Sequence, residues 1–104
     1  MATSKEYLIF LLDNLSLLDN ITSKMMMGEY IIYYRGKIAA YICDDRLLVK
    51  VVPSTIKMLP NAKREVPYEG AKEMLLVENV EDKEFLKELF EAMYDELPMP
   101  RKKK

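Results

Sequence analysis

The chain has 104 residues, enough for one ordinary domain and too few for two independent cores. Half of the residues are hydrophobic, which excludes a chain too polar to fold. The net charge of -1 hides an uneven distribution: without the four basic residues Arg101 to Lys104, 12 basic residues face 17 acidic ones, and a body of that sign repels nucleic-acid phosphates unless charge is locally segregated.

In chain order, Thr3-Ser4-Lys5-Glu6 has the form of a capping box, with the Thr3 hydroxyl placed to accept from the Glu6 amide. A helix is predicted from there to about Leu18. Tyr7, Leu8, Leu11, Leu12, Leu15 and Leu18 share its apolar face. Phe10 and Leu17 fall on a second, partly exposed side and are the candidates for self-association. Ile21 to Met27 is read as a connector. Three antiparallel strands follow, Glu29 to Tyr34, Lys37 to Cys43 and Arg46 to Val52, joined by tight turns at Arg35-Gly36 and Asp44-Asp45. Period-two alternation places Tyr30, Ile32 and Tyr34 on one face and Ile31 and Tyr33 on the other. In the next strand it sets Ile38, Ala40 and Ile42 against Ala39 and Tyr41.

Pro53-Ser54 stops the sheet, with Ser54 placed to cap a short helix to about Leu59. Pro60 to Gly70 reads as a loop, and Glu73 to Val77 as a fourth strand. From Asp82 to Leu97 the pattern is strongly amphipathic, with Phe85, Leu89, Met93 and Leu97 at i, i+4 spacing and Leu86, Phe90 and Tyr94 beside them. The predicted order is α-β-β-β-α-β-α. It makes a two-layer α+β fold, a four-stranded antiparallel sheet with helices packed on one face. Residues 1–97 form the domain and 98–104 a basic tail. The other sheet face is expected to carry Tyr33, Tyr41 and similar groups, as solvent-tolerant surface or as a contact surface.

Histidine is absent, which removes the commonest general base and the commonest zinc ligand. Cys43 is the single cysteine, so no intramolecular disulfide or thiolate cluster can form, and a reducing compartment is expected. The glycines at 28, 36 and 70 are too far apart for a phosphate-cradling loop. The apolar run Tyr7 to Leu12 is far too short to span a membrane. These absences predict a protein that is not an enzyme, holds no cofactor or metal and works in the cytoplasm by binding a partner. Asp44-Asp45 reads as turn residues rather than a Mg²⁺ site.

The candidate partner surface combines Met25, Met26, Met27 and Gly28 with Tyr33, Arg46 and Lys50. Methionine is flexible and polarisable and serves either a permissive surface or a gap between helix and sheet. Gly28 supplies a backbone turn into the strand. Arg46 and Lys50 share a side of their strand and make a small basic stripe, with Lys37 a possible extension. Tyr68-Glu69-Gly70 reads as a loop anchored by its tyrosine on the core. Weak direct nucleic-acid binding through the tail, Arg46 and Lys50 is the alternative.

Met26-Met27-Gly28, then Tyr33-Tyr34-Arg35-Gly36-Lys37, Asp44-Asp45-Arg46 with Leu48-Val49-Lys50, Pro67-Tyr68-Glu69-Gly70 and the final amphipathic helix occur in an order that resembles the N-terminal domain of the TfoX/Sxy family, over about residues 4 to 97. The resemblance implies an α+β fold of antiparallel sheet and helices. It also implies regulation of natural competence by a non-enzymatic protein acting with a transcription factor of the cyclic-AMP receptor type. It brings no catalytic residues. Met25 stands where the family often has proline, and the resemblance is to the first family domain alone, so a stand-alone N-terminal domain is expected.

Overall fold

A computed structural model describes residues 3–26 and 28–98. Met27 and residues 99–104, which include the charged part of the tail, lie outside the described residues. The elements are α1 (Lys5–Asn14), β1 (Ile21–Met26), β2 (Glu29–Tyr34), β3 (Lys37–Cys43), β4 (Arg46–Val49), α2 (Pro53–Met58), β5 (Arg64–Glu65), β6 (Met74–Val77) and α3 (Lys83–Tyr94). The strands form one antiparallel sheet in the order β1-β2-β3-β4-β6-β5. None of the described helices is long and apolar enough to cross a membrane.

The sheet has six strands where the sequence reading expects four. Ile21 to Met26 is an edge strand rather than a connector, paired along its whole length with β2 from Ile21↔Tyr34 to Met26↔Glu29. Four of its six residues are exposed, so neither face carries the apolar alternation that marks a half-buried strand. The other added strand lies inside the expected 60–70 loop, where Arg64 and Glu65 pair with Leu75 and Met74. Two charged residues hold no periodicity, and the strand exists only because β6 offers a free edge.

Both predicted hairpin turns form. Arg35 and Gly36 have φ of 52° and 85°, and Asp44 and Asp45 have 55° and 58°. Two consecutive positive φ values match the right-handed twist of the flanking strands. The β2–β3 register slips between Ile32 and Tyr33: Ile32 faces Ala40, but Tyr33 faces Ile38. This bulge gives β3 one extra residue, Ala39. Ile38 therefore joins Tyr33 instead of Ala40 and Ile42. Lys37, opposite Tyr34, moves to the helix side, where it is buried, its Nζ donating to the Tyr94 carbonyl at 3.0 Å and sitting 4.2 Å from the Tyr94 ring centre. The predicted extension of the basic stripe to Lys37 is thereby lost. The ammonium instead meets the carbonyl end of α3, where helix polarity favours a cation.

The main core lies between the sheet and the helices. Leu11 and Leu15, with Leu86, Leu89, Phe90 and Met93 of α3, pack on Tyr30, Ile32, Tyr34, Ala40, Ile42, Leu47, Val49, Leu75 and Val77. Truncating one of the fully buried leucines to alanine costs about 2–5 kcal/mol. Helix α1 ends at Asn14, short of the expected Leu18. The Leu15 amide is shared between the Leu11 and Leu12 carbonyls, and Asn20 at φ 56° turns the chain into β1. Its cap is Ser4, whose hydroxyl accepts from the Tyr7 amide at 3.1 Å. Thr3 is not the cap. Its hydroxyl donates to the Glu29 carboxylate at 2.6 Å, which also accepts from the Asp44 amide at 3.1 Å, while Asp45 accepts from the Ser4 amide at 2.9 Å. The start of α1 is thus tied to the β3–β4 turn, which accounts for Asp45 without a metal. Ser54 likewise does not cap α2. Its amide and hydroxyl donate to Glu96 at 2.8 and 2.9 Å, joining α2 to the chain after α3. Val52 occupies the cap position, and its amide donates to the Thr55 hydroxyl.

Candidate functional site

With the helices on one face, the opposite face of the sheet is left to a small second cluster. Buried Cys43, Leu48 and Met74 pack there with half-buried Tyr41 and Leu76, and no helix residue takes part. Ile31 faces Tyr41 across the β2–β3 pair, and Tyr41 faces Leu48 across β3–β4, so all three lie on this side. The cover comes from the chain between β5 and β6. It touches down through Tyr68, whose ring centre lies 6.1 Å from that of Tyr41 at 58°. Tyr68 remains 50% exposed. It therefore anchors its loop on the helix-free face and not, as the sequence reading has it, on the main core.

Two clefts flank this tyrosine pair. One, of about 490 Å³, is lined by Met26, Ile31, Tyr41, Cys43, Pro67 and Tyr68, with Glu29 and Glu69 at its polar edge. The other, of about 340 Å³, is lined by Tyr41, Lys50, Val52, Tyr68, Lys72 and Met74 among others. Burial first, and then the neighbouring Tyr68 phenol, raise the Tyr41 pKa above its ordinary value. Burial first, and then the Glu29 carboxylate, push the Cys43 thiol up to about 11, with Arg46 opposing. Cys43 is only 2% exposed, although it stands at the end of its strand. A thiol so held is a packing group and a poor nucleophile.

The structure divides the predicted site residues. Met26, Tyr33, Arg46 and Lys50 all belong to the helix-free side. Met25 alternates to the other side of β1, opposite Tyr30, and is 62% exposed, so it fills no gap between helix and sheet. Gly28 has φ 85°, the left-handed conformation expected of it before β2. Arg46 is not a free cation. Its guanidinium pairs with Glu65 of β5 and donates to the Cys43 carbonyl at 3.3 Å, bracing the short edge strand. Phe10 and Leu17 are both exposed, at 41% and 46%, but Leu17 lies beyond the end of α1 and the two do not form one helical stripe. The sequence reading missed Tyr68 and Lys72 as members of this face, whereas period two sets Ile31 on it beside Tyr33. Tyr68 and Lys72 lie in a segment without periodicity, and only the strand pairing shows what that segment covers.

The model of the TfoX N-terminal domain matches residues 13–96. The chain belongs to that family. A relative from Spirochaeta aurantia, described as an uncharacterized 12.7 kDa protein in the trpE 5′ region, is 29% identical over 105 residues, covering 100% of this chain and 91% of its own length. The match over most of the described residues ties the sheet, α3 and both clefts to this TfoX N-terminal domain.

Proposed function

We propose that this TfoX N-terminal domain is a non-enzymatic regulatory adaptor that acts by protein–protein contact through the helix-free face of its sheet. The observation that carries this reading is the apolar cleft between Met26, Ile31, Tyr41 and Tyr68, of a size that accepts an apolar or aromatic side chain. Membership of the family supports a role in transcription or competence control. A transcription factor of the cyclic-AMP receptor type is the partner that the family resemblance suggests. The absence of histidine from the sequence supports a role outside catalysis. Direct nucleic-acid binding through Arg46 and Lys50 is the lesser reading, because the Arg46 charge is already matched by Glu65.

The test places a photocrosslinking residue at Tyr68 in the whole chain, with exposed Glu88 on the outer side of α3 as the control position. A protein captured in source cells from position 68, absent from position 88 and unaffected by nuclease, is the expected result. Capture of nucleic acid, or equal capture at both positions, would sink the reading.

A further inference from the structure

The smaller cleft holds an electrostatic arrangement that the adaptor role leaves unused. Lys50 is half-buried at the end of β4, and Lys72 reaches the same cleft from the loop before β6. Among the described residues neither lysine makes an ion pair. The one carboxylate lining the cleft, Glu73, lies 4.0 Å from Arg64. Burial first, and then the charge of Lys72, lower the Lys50 pKa. Two ammonium groups lining one cleft, half-buried Lys50 and exposed Lys72, repel each other, and an anion between them relieves that repulsion. The other walls are Tyr41 and Tyr68 with Val51, Val52, Pro67 and Met74, which are apolar or aromatic.

We propose that the Lys50–Lys72 cleft binds a small organic anion, its phosphate or carboxylate between the two ammonium groups and its apolar or aromatic body against Tyr41 and Tyr68. The volume of about 340 Å³ lies at the small end of the range of ligand pockets. A long polyanion fits less well, because the chain without its last four residues carries 17 acidic residues against 12 basic. One or two negative charges are what this lysine pair neutralises. The site adjoins the proposed contact face through the shared Tyr41–Tyr68 pair, but it does not depend on that role.

The test titrates the isotope-labelled whole chain with phenyl phosphate, benzoate and inorganic phosphate, following amide and side-chain NMR signals. Phenyl phosphate or benzoate is expected to give saturable shifts at Tyr41, Lys50, Tyr68 and Lys72, with inorganic phosphate weaker for want of an aromatic body. Lys50→Met and Lys72→Met are each expected to weaken binding about tenfold, the scale of one charge-assisted hydrogen bond. Lys50→Arg retains binding, and unchanged circular dichroism and melting show that each variant is folded. The proposal is overturned if neither aromatic anion gives saturable shifts at those residues. It is also overturned if folded Lys→Met variants bind as the parent does, or if an acidic peptide or an oligonucleotide occupies the cleft while the small anions do not. Crosslinking from Tyr68 reads the adaptor role separately, so either idea can fail alone.

Discussion

Raising the pH should destabilise this fold through Cys43, and the size of the effect follows from its burial. The folded thiol is pushed from its ordinary 9.0 up to about 11. Below pH 9 the thiol is protonated in folded and unfolded chains alike, and the full stability is present. Between 9 and 11 the unfolded chain ionises while the folded chain holds its proton, so stability falls as pH rises. The loss is about 1.4 kcal/mol at pH 10 and approaches about 2.7 kcal/mol above pH 11. Lysines and tyrosines titrate in the same window, so the parent must be compared with Cys43→Ala. That variant lacks the thiol and carries instead a pH-independent packing loss of about 1 kcal/mol. In urea unfolding under reducing conditions, the parent should be the more stable at about pH 8. The gap should close near pH 10 and reverse above it. A gap that stays constant from about pH 8 to 10.5 would refute the reasoning, as would a folded thiol reacting at about pH 8 as fast as a free one.

Three further outcomes follow from the packing. Lys37→Met should cost about 1–3 kcal/mol in urea unfolding, because it strips the Tyr94 carbonyl of its charged donor and the ring of its cation. A melting temperature equal to the parent's would show that water replaces the ammonium without loss. Asn14→Leu should leave stability unchanged or raise it by about 1 kcal/mol in the same assay, since Nδ2 of this buried residue finds no partner among the described residues. Ser4→Ala should lower stability by about 1 kcal/mol through loss of the cap on the Tyr7 amide, and Thr3→Ala should lower it through Glu29 instead, so the two losses should not both vanish when Glu29 is removed.

What could be read from the sequence follows how far each signal is local. The β2–β3 and β3–β4 turns could be placed because Arg35-Gly36 and Asp44-Asp45 interrupt continuous apolar runs rich in β-branched and aromatic residues, and α3 because its apolar stripe runs unbroken from Phe85 to Met93. Strand β1 could not, because an edge strand of Thr, Ser, Lys and Met with most residues exposed has no inside to alternate towards. The bulge at Ala39 was equally hidden. Ala39 and Ala40 are both small and both fully buried, so nothing in their identity says which is the extra residue, yet the slip decides where Lys37 and Ile38 point. At the site, Lys50 and the aromatic outer face with Tyr33 and Tyr41 were legible from period two. The partner of Arg46 was not legible, because Glu65 is 19 positions away in a strand that only long-range pairing creates.

The same pairing explains how a sheet face without helices keeps Cys43, Leu48 and Met74 buried. Leu48 is fully buried there, and the contact of Tyr68 on Tyr41 seats the covering chain on this face. Within that chain the Ala71 amide donates to the Tyr68 carbonyl at 3.0 Å, so its protection from exchange reports whether the loop is seated. Tyr41→Ala removes the platform without touching the helix-side core. The whole chain should remain folded, with a loss of about 1–3 kcal/mol from half-buried aromatic surface. Ala71 should exchange faster while Leu89 and Phe90 amides keep their protection. Tyr41→Phe should preserve part of the protection, because the ring contact remains while the hydrogen bond between the Tyr41 and Tyr68 phenols is lost. Were Ala71 to exchange at the parent rate in Tyr41→Ala, the loop would be held by its own backbone, and the two clefts would not depend on the tyrosine pair that separates them.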